Sequence, residues 1–216
     1  MSPRRAVAVA LVGLLGALVL IPSIAPATVE EQRARLPPPA TCQDPIEGVW
    51  MSHKYEPPWD EWMIFTLEIR RAPGAPANPP PGTPVPLVGR IQAHAWFGGG
   101  PQASSPPPCG VIPTHWTVEM TAEGNVVDRR LNFWGTRWAI GQVFCGSRAF
   151  GYNLDHFSGA VDDTIHEFQS VNNDGGRAVN DPTVFRRVRC LEPLSPPHPF
   201  VAPPAFHPPR RSGCSR

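Results

Sequence analysis

His94, His115, His156 and His166 are the side chains of this 216-residue chain best suited to holding a metal ion or moving a proton, and Glu119, Asp155 and Glu167 lie close to them in sequence. All four fall in or beside stretches of alternating apolar residues, so strand geometry limits what they can do together. On a strand, His166 and Glu167 point to opposite faces and cannot easily share one site. His156 and His166 flank a short connection through Gly159 and are expected to meet across adjacent strands. The helical His-Glu-x-x-His pattern of zinc enzymes is missing, and no two cysteines have Cys-x-x-Cys spacing. No metal site and no cofactor are therefore expected.

Nucleophilic catalysis finds no better support. A serine nucleophile at a strand-to-helix elbow needs Gly-x-Ser-x-Gly, whereas Phe157-Ser158-Gly159 lacks the first glycine. The Gly98-Gly99-Gly100 run leads into Pro101-Gln102-Ala103 and not into a helix, so it reads as a linker and not as a phosphate loop. Asn172, Asp174 and their neighbours could hold a calcium ion, but Asn, Asp and Gly are also the residues that tight turns require, and the turn reading is preferred. No catalytic residue is assigned.

Binding is the chemistry these residues suit best. Seven tryptophans are present, and in a barrel they either fill the interior or line an aromatic cavity. Trp96 and His94 share a strand face with Val88, Arg90 and Gln92. Trp134 alternates with Asn132 and Arg130. With Trp116, these make a candidate ligand set of His94, Trp96, Trp116 and Trp134.

The elements that position them are strands. Phe65, Leu67 and Ile69 alternate with Thr66, Glu68 and Arg70, and Trp116, Val118 and Met120 alternate with Thr117, Glu119 and Thr121; this period of two marks half-buried strands. Further strands are predicted over 49–55, 87–97, 126–134, 138–145, 149–156, 164–171 and 183–190. Turn signals stand at 123–125, 146–147 and 173–176, and no amphipathic helix of normal length follows residue 27. Prolines cluster at 37–39, 73–86, 106–108 and 193–209, while 114–192 holds only Pro182. Proline cannot donate to a sheet ladder, so the clusters mark loops and a tail. Two insertions, 72–86 and 98–108, are expected to lie outside the core. The fold class is all-β: an antiparallel up-and-down barrel of about eight or nine strands, closed so that no edge is unpaired.

Arg4 and Arg5 precede an apolar run from Ala6 to Ile21, Pro22 breaks it, and Ala25-Pro26-Ala27 has the spacing of a cleavage site, the pattern of an export leader. The run is about 16 residues against the roughly 20 that span a bilayer, which favours cleavage over retention as an anchor through residues 6–21. The expected organisation is a leader over 1–27, a linker over 28–41, a barrel over 42–190 and a proline-rich, disordered tail over 191–216. An extracytoplasmic location, secreted or periplasmic, follows. Without the leader the chain has 17 basic and 18 acidic residues, a net charge of −1, which argues against nucleic acid as a partner.

Five cysteines would then meet an oxidising compartment. Cys42 precedes the first strand and Cys190 ends the last, which are neighbours in a closed meander, so these two are expected to pair. Cys109 and Cys145 are expected to form a second bridge. Cys214 is left over, either as a free thiol or as a crosslink to another molecule.

Gly48-Val49-Trp50 opens the first strand, and the last ends in Phe185-Arg186-Arg187-Val188-Arg189-Cys190. This arrangement resembles the calycin plan of lipocalins and their relatives, in which a Gly-x-Trp near the start of the barrel lies beneath an arginine from its final strand. The resemblance implies that Gly48 and Trp50 are structural, that Arg187 or Arg189 stacks on Trp50, and that the barrel holds a cavity for a small apolar ligand. The Thr-Asp-Tyr element of lipocalins is absent. The expected function is non-enzymatic binding of a small molecule or an envelope component; the alternatives are a metal-dependent or hydrolytic enzyme using these histidines, and a structural surface protein.

Overall fold

A computed structural model of the chain describes residues 28–76, 78–147 and 151–192. The expected leader over 1–27, all of the expected tail except residues 191 and 192, and Cys214 lie outside the described residues. Nine strands follow one short helix: α1 (Val29–Arg35), β1 (Gly48–Met51), β2 (Lys54–Glu56), β3 (Glu61–Arg71), β4 (Val85–Phe97), β5 (Thr114–Val127), β6 (Arg130–Cys145), β7 (His156–Asp162), β8 (Glu167–Asn172) and β9 (Asp181–Arg189). Each of β3 to β8 pairs antiparallel with the next, and β1 pairs with both β3 and β9, which closes an eight-stranded barrel. The extra strand, β2, carries β1 onward along β3 without a change of register: Met51 faces Thr66, and Lys54 faces Met63. Between them the Ser52 hydroxyl accepts the Phe65 N–H, so the interruption at Ser52-His53 leaves no backbone donor of β3 unpaired there.

The inward face follows the alternation seen in the sequence. Leu67, Ile69, Leu87, Ile91, Val118, Phe133, Phe157, Phe168 and Phe185 are buried together around Trp50. Most of this apolar mass sits at the end where the chain enters and leaves, and that end is closed. There Cys42 and Cys190 form a disulfide with Cα atoms 5.5 Å apart. Trp50 donates its indole N–H to the Ile46 carbonyl at 2.9 Å.

Arg187, and not the exposed Arg189, lies against Trp50, its guanidinium carbon 5.4 Å from the ring centroid. It also donates to the carbonyls of Asp44 (2.6 Å) and Ala40 (3.4 Å). Gly48 makes room for it, since a Cβ at that position would stand 2.7 Å from the Arg187 Cδ.

The segment 28–41, expected as a linker, is docked on the barrel. Thr28 caps α1 in a capping box with Glu31. Gln32, fully buried, exchanges hydrogen bonds with the backbone of β9 at Pro182 and Val184. Arg33 pairs with Glu167 at 2.8 Å.

Three turn or strand expectations differ from the structure. The segment 123–125 lies within β5; Gly124 is there because a Cβ would stand 2.3 Å from the Asn132 carbonyl oxygen of β6, so it serves close approach. The reversal comes later, at Asp128-Arg129, with Asp128 at a φ of 53°. Of the strands expected over 126–134 and 138–145, residues 126–127 end β5 and the rest from Arg130 on is one strand, β6, whose register against β5 slips between Thr121 and Ala122 to absorb an extra residue. No strand occupies the described part of 149–156 before His156. Residues 151–155 instead form a loop that turns Tyr152 and Asp155 inward.

Candidate ligand-binding site

Beyond Trp134, the rest of β6 pairs with β5 alone, because β7 begins only at His156. The barrel is thereby left open at the end opposite the disulfide. A cavity of about 670 Å³ occupies this mouth. Its apolar side is Met63 and Phe65 from β3, Phe97 from β4 and Trp116 from β5; its polar side comes from Lys54, Glu61, the 151–155 loop and the β8–β9 connection.

Asp155 is a deeply buried acid of this site, 3 % exposed, beside Glu61 at 1 %. Its carboxylate accepts from the Tyr152 hydroxyl at 2.9 Å and from the Asn172 amide at 2.6 Å. Burial pushes its carboxyl up to about 7, against the opposing effect of those two hydrogen bonds. Tyr152 is raised well above an ordinary phenol, first by burial and then by the neighbouring Asp155. Burial also raises Glu61, and Arg177, which pairs with it, offsets part of that effect.

The rim is tied by ion pairs. Lys54, 3 % exposed, meets Glu56 at 2.6 Å and also pairs with Asp181. Arg177 reaches from the β8–β9 connection to Glu61 and covers the Trp59 ring at 5.4 Å. Asp174 uses one carboxylate oxygen to accept the N–H groups of Gly176 and Ala178. That is the turn chemistry expected of the Asn-Asp-Gly-Gly stretch.

Of the four residues expected to contact a ligand, only Trp116 lines this cavity. Trp96 and His94 lie on the outer wall, because the odd-numbered residues of β4, among them Ile91, Ala93 and Ala95, take the inward face. Trp134 likewise faces outward, with its ring edge toward His156. The alternation placed these side chains on a common face of their strands, and the tertiary fold decides which face is inside.

Outside the wall, Trp96 stacks on Trp62 with ring centroids 5.8 Å apart, and Tyr55 and Ile112 complete a small second cluster. Ile112 comes from the β4–β5 connection after the 98–108 insertion, and within that insertion, expected to lie outside the core, the Gly100 carbonyl accepts the Trp62 indole N–H at 3.0 Å. His94 and His115 meet here with their Nε2 atoms 2.6 Å apart. Burial, then the adjacent His115 and His53, pushes His94 down to about 4. His156 and His166 do not meet: His156 begins β7 at the mouth, and His166 lies in the turn at the closed end, its Nδ1 3.2 Å from Arg187. Among the described residues no group of three or more His, Cys, Asp or Glu is arranged to hold a metal ion.

Cys109 and Cys145, expected as a bridge, are both thiols in this structure. They are close enough for a hydrogen bond, which together with burial and the charge of Cys109 pushes Cys145 up to about 11.

Comparison of the chain with protein-family models, with curated proteins and with solved structures finds no match in any of the three.

The residues that build the cavity carried one legible signal. Glu61 continues the inward phase of Met63, Phe65, Leu67 and Ile69, so an acid in step with an apolar face marked a polar group pointing into the barrel. Lys54, the only lysine of the chain, stands seven residues earlier. Asp155 and Tyr152 had no such signal, because they lie in a loop and no periodicity governs where its side chains point.

Proposed function

We propose that this protein is an exported, non-enzymatic binding barrel that takes a small molecule with an apolar body and a polar end into its open mouth. The observation that carries the reading is the cavity of about 670 Å³, within the size range of small-molecule sites, with apolar rings on one side and a few fixed polar groups on the other. The Cys42–Cys190 disulfide supports export, since such bonds persist in oxidising compartments. A hydrolytic or metal-dependent enzyme would draw on His94, His115, His156 or His166, and none of these lines the cavity.

Titration with dansylamide, an uncharged fluorophore that brightens on leaving water, tests the reading. Saturable one-to-one binding is expected, together with quenching of tryptophan emission that shrinks in Trp116→Phe. Absence of saturable binding by dansylamide and by its charged derivatives overturns it.

A further inference from the structure

Five carboxyl groups line the cavity, Glu56, Glu61, Asp155, Asp174 and Asp181, against two cations, Lys54 and Arg177. The cations are already committed at the rim: Lys54 to Glu56 and Asp181, and Arg177 to Glu61. Asp174 is satisfied by loop amides. Asp155 is different. It is held by two neutral donors, Tyr152 and Asn172, and no cation lies within ion-pair distance of it among the described residues. A carboxylate this far from water is costly unless a cation joins it, yet its side chain opens onto a cavity with room for one.

The neighbouring rings suit the same ligand. Trp116 and Tyr152 meet edge to face at 5.8 Å, and Phe97 lies 6.4 Å from Trp116. Aromatic faces attract ammonium groups, more strongly where water is excluded.

We propose that the mouth cavity selects small organic cations, with the ammonium or amidinium group of the ligand placed between Asp155 and the Trp116–Tyr152 rings. This rests on the binding function proposed above and adds the charge of the ligand to it. Arg177 acts on Asp155 from beyond ion-pair distance, and the ligand would supply the direct positive partner that no described side chain gives it, while its apolar body lies along Met63, Phe65 and Phe97.

The test compares three probes sharing one fluorophore, at pH 8 and low salt, on the intact chain: dansylcadaverine, which carries an ammonium; 6-dansylaminohexanoate, which carries a carboxylate; and uncharged dansylamide. The ammonium probe is expected to bind at least about tenfold more tightly than the carboxylate probe, the scale of a desolvated charge pair. In Asp155→Asn, which keeps acceptor and donor groups for Asn172 and Tyr152, that preference is expected to fall to within about threefold. Equal or tighter binding of the carboxylate probe by the unaltered chain overturns the cation proposal while leaving a binding cavity in place; so does an ammonium preference that survives in Asp155→Asn. Failure of all three probes to bind overturns the binding function itself and this proposal with it. The comparison on the unaltered chain decides the matter even where the variant does not fold.

Discussion

Arg187 spans the closed end of the barrel with its guanidinium over Trp50, 5.4 Å from the ring centroid, and its Nη1 2.6 Å from the Asp44 carbonyl. Through one side chain the last strand is bound to the first strand and to the segment that leads into it. Stacking on an aromatic ring is worth about 0.5 to 2 kcal/mol, and each buried carbonyl left without its donor costs about 1 to 3 kcal/mol. Arg187→Ala is therefore expected to destabilise the fold by about 3 kcal/mol, read as a lower urea midpoint. Arg187→Lys keeps the charge but not the planar fork and should fall between. A midpoint for Arg187→Ala equal to that of the unaltered chain would show that the stack contributes nothing.

Gly48→Ala acts on the same relationship from the other side. Its Cβ would stand 2.7 Å from the Arg187 Cδ and 3.1 Å from the Arg189 carbonyl oxygen. It should destabilise much as Arg187→Ala does. The two changes should also be less than additive in a double-mutant cycle, because each disturbs the same contact.

The Asp155 carboxyl is raised to about 7 in the folded chain from an ordinary value near 3.8. An acid raised in this way binds its proton more tightly when folded, so it favours the fold at low pH, and stability falls as pH rises from about 4 to about 7. Asp155→Asn removes that dependence. Its melting temperature should exceed that of the unaltered chain at pH 8, with the gap closing toward pH 5; a constant gap across this range contradicts the assignment.

His94 titrates in the opposite sense. Its folded value, near 4, lies below the ordinary 6.5, so the neutral ring favours the fold and stability is lost as pH falls from about 6.5 toward 4. The groups facing it are His115 and His53, both also lowered by burial. Replacing His94 and His115 together by Phe should flatten the acid limb of a melting-temperature profile in this window. Asp155 gains stability over the same range, so the profile is best measured in the Asp155→Asn background.

Joining Cys42 to Cys190 closes a loop across a sequence separation of 148. Chain entropy places its contribution on the order of 4 to 5 kcal/mol. The double variant Cys42→Ser, Cys190→Ser should lose up to that amount in denaturant unfolding. It should lose less where α1 and Arg187 already hold the two ends together. Cys109 and Cys145 should join under mild oxidation, seen as a crosslinked peptide pair on digestion without reductant; failure to crosslink would show that the two thiols do not meet in solution.

The alternation of Phe65, Leu67 and Ile69, and of Trp116, Val118 and Met120, determined the strands, and the turn signals and the placement of proline determined a meander of β-strands with loops between. Cys42 and Cys190, flanking the first and last strands, determined a bridge as soon as the meander was closed, and the calycin resemblance set Gly48 and Trp50 against an arginine of the last strand. Those are local or nearest-neighbour relations, which a period of two and chain order can express. Which face of β4 became the interior was not such a relation: Ile91, Ala93 and Ala95 against Gln92, His94 and Trp96 is decided by barrel closure, and the β4–β5 connection, through Ile112, then makes a buried place for Trp96 outside the wall. Nor could spacing bring Asp155 beneath Asn172 or carry Arg177 across to Glu61, since loop side chains follow no period and the partners lie far apart in the chain. The strands could be read from single residues in order; the cavity exists only where the loops between them come together.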